Sequence, residues 1–432
     1  MNIKKEYFDK LILCGGKLII PNKQIINNPG IYIENGIIKN IKSAKKRTCV
    51  LNLNNTQYIS PGFIDLHCHL REPGNLDSET IKSGTLSAIA GGFTLICCMP
   101  NTNPPIDNPR LGKYIYNQKN KADNAEVLVI GCATKKRAGK TIANIDAMIS
   151  VGIVAVSDDG SPISDSALMQ EILEQSRKLG IFVIDHCEVL ELSNAGVINN
   201  SRISKKLGLK GVADISESIM VLRDIVLADY TKSRVHIAHV STKKSVDLIR
   251  WAKRRGVKIT AETCPHYFTL TENDCIGLNT NFKVSPPLRT KADNEAIKQG
   301  LEDGTIDAIA TDHAPWHHKK KQVSWEKAKS GMIGFETAFS LGYQELVLKK
   351  YLSLEKYIAC LTTKPAQILN LKSAGKIAEG IPAAISIFDL NKVWTPSVKN
   401  IISKSKNSPF IGKRLHGKVE KVIIQDKLFI PS

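Results

Sequence analysis

Between about residues 58 and 311 the chain alternates short apolar runs with amphipathic stretches, and few folds accommodate that order. Runs at 63–70, 93–99, 126–133, 152–157, 181–186, 235–240, 257–263 and 306–311 have the length and branched or aromatic content of buried strands. Helical periodicity is clear between several of them, at 79–90, 165–178, 215–228 and 243–254. Eight strands with intervening helices predict a parallel α/β fold closed as a TIM-type (β/α)8 barrel. The flanks have another texture. Residues 1–57 read as short strands, including Leu11-Ile12-Leu13 and a run ending at the Asn35-Gly36 hairpin turn. From about 375 that β texture returns, at 384–389 and 421–426.

The chemistry gathers at the predicted strand ends. Phe63, Ile64 and Leu66 follow the Pro61-Gly62 turn and lead into His67-Cys68-His69-Leu70-Arg71-Glu72-Pro73-Gly74. Period-2 alternation puts His67 and His69 on one face, where two imidazoles can hold a divalent ion. A bare His-x-His is as often two unrelated histidines. Arg71 points the same way, and its planar fork suits a carboxylate. Strand two ends in Met99-Pro100-Asn101-Thr102, strand four in Asp158-Asp159-Gly160, and strand five in Asp185-His186-Cys187-Glu188. Strand six ends at His239-Val240-Ser241, and strand eight at Thr311-Asp312-His313-Ala314-Pro315. Each alone reads as a cap or a core residue; six on one rim read as an active site at the C-terminal face of a barrel.

Composition narrows the partners. The net charge of +19 raises the question of nucleic acid, but the lysines are spread along the chain and aromatics (6%) are not interleaved with them. The clusters at 253–255 and 317–321 read as solvated surface, and a diffuse positive field speeds capture of an anionic small molecule. No apolar run reaches 18 residues and the N-terminus has no signal-peptide core, so no membrane segment is expected. Ten scattered cysteines without a Cys-x-x-Cys pair suggest reduced thiols in the cytoplasm.

The run from His67 to Gly74 resembles the signature of the cyclic amidohydrolases and, within them, the dihydroorotase family. Allantoinases usually carry Asn at the place of Arg71, and hydantoinases Asp. The resemblance covers nearly the whole chain, through Met99 to Pro105, Asp158-Asp159-Gly160-Ser161-Pro162 and Asp312 to Pro315. It implies reversible cyclisation of N-carbamoyl-L-aspartate to L-dihydroorotate, a step of pyrimidine synthesis. It also implies one or two zinc ions per chain, held by His67, His69, Asp159, His186, His239 and Asp312. No lysine lies between Thr141 and Gln175, so strand four cannot supply the carbamylated lysine widespread in the superfamily; Asp159 serves instead, and Asp158 hydrogen-bonds locally. Asp312 is the implied proton-transfer group, with Arg71 and Asn101 on the substrate carboxylate.

Two positions depart from the family pattern. Ser285 stands where relatives have Asn, and Trp316 where they have His, which leaves His317 as a replacement. Ser330 and Gly331 correspond to a substrate-touching pair, so the loop 316–334 is expected over the site, mobile when empty, with its lysines drawing in the substrate. The terminal segments, 1–57 and 375–432, are expected to join in one small β module beside a barrel of residues 58–374. A homodimer and an association with aspartate carbamoyltransferase stay open. Competing readings are an allantoinase or hydantoinase, and an inactive homologue acting as an assembly subunit; the retention of all six ligands argues against the last.

Overall fold

The computed structural model describes residues 3–43 and 51–431. Its centre is an eight-stranded parallel sheet in sequential order. The barrel strands are β1 (Phe63–Cys68), β2 (Phe93–Cys98), β3 (Glu126–Gly131), β4 (Ala155–Val156), β5 (Val183–Asp185), β6 (Val235–Ile237), β7 (Ile259–Thr263) and β8 (Ala308–Ile309). All eight expected strands are present, and all but β7, which ends at Thr263 as expected, end short of the predicted limit. The trimming has a cause: residues such as 157–159 and 310–313 leave the ladder to form the rim.

The sheet closes where the first strand meets the last. Cys68 bridges His313 in parallel, and the His69 amide donates to the His313 carbonyl at 2.9 Å. Beneath them the buried Asp65 carboxylate accepts from the Thr311 amide at 2.8 Å and its hydroxyl at 2.7 Å. Leu66, Cys97, Met99, Ile130, Ala155, Ile184, Ala308 and Ala310 belong to one buried cluster. A larger one joins Phe63, Ile96, Val127, Val183 and Ile237 to helix residues such as Ile89, Ile115, Ile172 and Ile249.

Local sequence sets the helix starts. Thr80 caps the helix Ile81–Ala90 by accepting from the Ser83 amide at 3.1 Å. Asn108 caps Pro109–Ala122, where Pro109 costs nothing because that amide has no helical partner. Asp165 does the same for Ser166–Lys178.

The termini share one nine-stranded sheet, as expected. Leu51–Pro61 pairs antiparallel with Ala384–Trp394, and Ile3–Tyr7 with Lys427–Pro431. The short run read at 11–13 belongs to one longer strand, Lys10–Ile20, with a register shift at Gly15. Leu51–Pro61 is a strand that composition hides, because Asn52, Asn54, Asn55 and Gln57 break its apolar pattern. It runs straight towards β1 and delivers His67 to the rim.

Candidate metal-dependent active site

Four imidazoles and two carboxylates converge at the C-terminal ends of the barrel strands. Around Oδ1 of Asp159 lie His67 Nε2 at 3.3 Å, His239 Nε2 at 3.5 Å and His186 Nδ1 at 3.7 Å. Asp312 Oδ1 lies 2.9 Å from His69 Nε2 and 3.9 Å from His67 Nε2. His67 therefore belongs to two groups at once, His67–Asp159–His239 and His67–His69–Asp312, each tight enough for one ion. Arg71 (61°), His239 (34°) and Asp312 (45°) sit at positive φ. Such backbone costs on the order of 1–3 kcal/mol each and persists where surrounding contacts enforce it.

The donor set fits a divalent cation. His67 is fully buried, yet its Nε2 has no hydrogen-bond partner. His186 Nδ1 and His239 Nε2 face one another at 2.9 Å. Burial opposes charge on Asp159, but His67, His186 and His239 outweigh it and hold the carboxyl well below the usual range. Asp312 is depressed likewise: burial raises it, and His69, His67 and His239 overcome that. His186 is lowered by burial and raised more by Asp159 and Glu188, to about 10. Buried imidazoles and carboxylates packed this closely are a set of donors suited to a divalent cation.

The adjoining residues orient the cluster. His67 Nδ1 lies 3.0 Å from Oε1 of the buried Glu262, whose other oxygen is 3.2 Å from His236 Nε2. Burial raises Glu262, but His236 and His67 pull it to about 2, so it is a fixed anion behind His67. Asn101 joins the halves: its Oδ1 lies 2.8 Å from His69 Nδ1, and its Nδ2 donates to Asp159 Oδ2 at 3.0 Å. Asp158 faces away. It accepts from the Ala133 and Thr134 amides at 3.0 Å each and from the Thr134 hydroxyl, which separates its structural part from that of Asp159.

A cavity of about 370 Å³ opens over the cluster. His69, Arg71, Asn101, Asp159, His186, His239, Ser285, Asp312, Trp316, Ser330 and Gly331 all line it, with His67 beneath. His317 does not; it lines the neighbouring cavity, where its ring meets His318. Arg71 lies against the Trp316 ring at 4.1 Å, and its Nε donates to the Pro315 carbonyl at 3.1 Å. Burial lowers Arg71 to about 10, so it stays a cation at neutral pH. Trp316 Nε1 donates to the Ser330 carbonyl at 2.8 Å. Gly331 has φ 124°, and a Cβ there would stand 2.6 Å from that of Ala314.

Three contributors escape a reading of the sequence. Glu262, next to last in β7, sits in the run Glu262-Thr263-Cys264-Pro265-His266-Tyr267, to which the sequence assigns no role. Arg137 and Lys329 line the cavity from connecting segments, and Arg137 donates to the Asp159 carbonyl at 2.6 Å and the Ser161 hydroxyl at 2.9 Å. The loop also corrects one expectation. Lys321 does not reach towards substrate: it is buried, and its Nζ donates to the carbonyls of Lys329 (2.9 Å), Gly331 (3.1 Å) and Lys283 (3.4 Å).

Residues 58–429 match the amidohydrolase family, and the chain belongs to it. Within that family it stands with proteins named dihydroorotase. It is 45% identical to the dihydroorotase of Ruminiclostridium cellulolyticum over 96% of this chain and 97% of that one. It is 47% identical to that of Endomicrobium trichonymphae over 94% and 96%. Among solved structures, an L-hydantoinase (dihydropyrimidinase) from Arthrobacter aurescens superposes with a TM-score of 0.85 over 97% of this chain and 95% of that chain, at 22% identity. That likeness shows the shared fold of barrel and terminal sheet.

Proposed function

We propose that this protein is a dihydroorotase, interconverting N-carbamoyl-L-aspartate and L-dihydroorotate. The observation that carries the reading is Arg71, a buried guanidinium lining the cavity next to the His–Asp cluster. A cyclic amide bearing a carboxylate matches that pairing; a hydantoin or dihydropyrimidine ring without one leaves the cation unanswered. Relatives named dihydroorotase at 41–47% identity over nearly the full length support it.

His67, His69, His186, His239, Asp159 and Asp312 would hold the metal, which we assign as zinc, one or two ions per chain. When bound, it polarises the ring carbonyl and acidifies a water. Asp312, kept deprotonated by its histidine neighbours, takes the attacking water's proton and returns it to the ring nitrogen as the C–N bond breaks. Arg71 and Asn101 grip the substrate carboxylate, and Ser285 with the backbone of Ser330 and Gly331 borders the ring. Trp316 covers the cavity wall and excludes water. We assign the catalytic work to a barrel of residues 58–374, braced by 1–57 and 375–432.

Among the described residues, eight buried cysteines are free thiols, which favours a reducing cytoplasm, and no helix is long and apolar enough to cross a membrane. Association with aspartate carbamoyltransferase is testable by co-purification. The decisive assay offers dihydroorotate, allantoin and dihydrouracil in parallel, with and without chelator. Turnover of dihydroorotate alone, lost on chelation and restored by zinc, is expected; preferential turnover of either other ring would overturn the reading.

A further inference from the structure

Between the terminal-sheet strands Ala384–Trp394 and Leu415–Ile424 the chain leaves that sheet and lies against the barrel rim. The Ile402 and Ser403 amides donate to the Glu336 carboxylate at 2.8 and 2.9 Å, and the Ser405 hydroxyl to the Ser78 carbonyl at 2.6 Å. Two residues on comes Asn407, which is 4% exposed. Its Nδ2 donates to the carbonyls of Ala314 (3.1 Å) and Gly331 (3.0 Å), and its Oδ1 accepts from the Trp316 amide at 3.0 Å. Its own carbonyl accepts from the Ile333 amide at 3.0 Å. Ala314, Trp316 and Gly331 all line the cavity over the His–Asp cluster. One side chain from the C-terminal segment therefore ties together two stretches of the cavity wall.

A carboxamide suits this place and its near relatives do not. Two donors meet two carbonyls and one acceptor meets an amide, which also fixes which end of the group is nitrogen. A carboxylate there would face two carbonyl oxygens, and an aliphatic side chain would leave the Ala314 carbonyl and the Trp316 amide without this partner. The consequence reaches Arg71. The carbonyl of Pro315, between the two residues that Asn407 holds, accepts from Arg71 Nε at 3.1 Å, and the Trp316 ring lies 4.1 Å from the guanidinium. We propose that Asn407 is a positioning residue for the substrate: by fixing segment 314–316 it aims Arg71 at the substrate carboxylate. The inference rests on the proposed function, in which Arg71 meets that carboxylate. Gly331 keeps Lys321 as a second donor to its carbonyl, at 3.1 Å, so loss of Asn407 falls chiefly on segment 314–316 and Arg71.

Steady-state kinetics on the metal-loaded enzyme with dihydroorotate test it. Asn407→Ala should raise KM about three- to tenfold and leave kcat within about twofold, because a carboxylate grip is shared by ground and transition states. In an Arg71→Asn background the same change should alter KM by less than about twofold, since residues acting through one another are not additive. Ser405→Ala loosens the same segment without touching Ala314, Trp316 or Gly331, and should leave KM near wild type. Should Asn407→Ala not fold, Asn407→Ser, whose hydroxyl keeps part of the bonding, is read in the same way. An effect on kcat with KM unchanged, a KM increase that recurs in full beside Arg71→Asn, an equal increase in Ser405→Ala, or no change at all overturns the inference and leaves the proposed function standing. A wild type without activity on dihydroorotate overturns both.

Discussion

The strand-end rim and the 316–334 loop line the same cavity but are held in place by different means. At the rim, His67, His69, Asp159, His186, His239 and Asp312 hang from sheet ends and touch one another. In the loop, order comes from side chains reaching back to main-chain carbonyls. Lys321 donates to three of them, Lys283 Nζ to those of Trp325 and Glu326, and Trp325 Nε1 to that of Val197. The rim is fixed by the barrel and disturbed chemically, through its ligands. The loop is fixed by a few buried donors and is disturbed mechanically when one is lost.

Changes at the rim should be the most severe. Asp159→Ala is expected to cost about a thousandfold or more in turnover, roughly 4 kcal/mol of barrier, together with bound metal. Its neighbour provides the contrast: Asp158→Asn should lower the melting temperature and leave metal content near wild type. Elemental analysis beside thermal melts separates the two, and metal loss in the Asp158 variant alone would reverse their parts. Next in size is Arg71→Asn. Loss of a charged partner costs about 2–5 kcal/mol, so turnover of dihydroorotate relative to dihydrouracil should fall by at least about tenfold. Equal losses on both would remove Arg71 from carboxylate recognition.

In the loop, Lys321→Met should cost about 1–3 kcal/mol by leaving buried carbonyls without donors. It should also change the pH dependence. Burial, with repulsion from Lys283, lowers Lys321 from 10.5 to about 7. Between pH 7 and 10.5 the unfolded chain binds the extra proton, so stability gains up to about 1.4 kcal/mol per pH unit as pH rises through that window. Urea titrations at pH 7 and 9 should show this gain in wild type and not in Lys321→Met. The smallest effect is proteolytic. Trypsin should cut after the exposed Lys319 and Lys320 and spare the buried Lys321, and saturating dihydroorotate should slow the cuts. Cleavage that ignores ligand would make the loop a bystander.

The same contrast explains what the sequence discloses. His67 and His69 are legible because a pleated strand fixes which side chains share a face. The repeat of eight strands is legible because burial on both faces leaves apolar runs. Lys321 is not, since nothing in His-His-Lys-Lys-Lys distinguishes the third lysine from its exposed neighbours; its burial follows from segments around Lys283 and Gly331. Trp316 and His317 are adjacent in the chain, yet Trp316 lines both cavities and His317 only the neighbouring one, a difference set by backbone path. The role of Glu262 is hidden for the same reason: it exists only once the closed barrel brings Glu262 on β7 within reach of His67 on β1.

The seam joining β1 to β8 sets the timing of assembly. His69 and Asp312 are 243 positions apart and meet only there, where Asp65 and Thr311 lock the two strands. On the ribosome, the first half of the rim emerges long before its counterpart. The nascent chain therefore carries an incomplete binding site until the eighth strand docks.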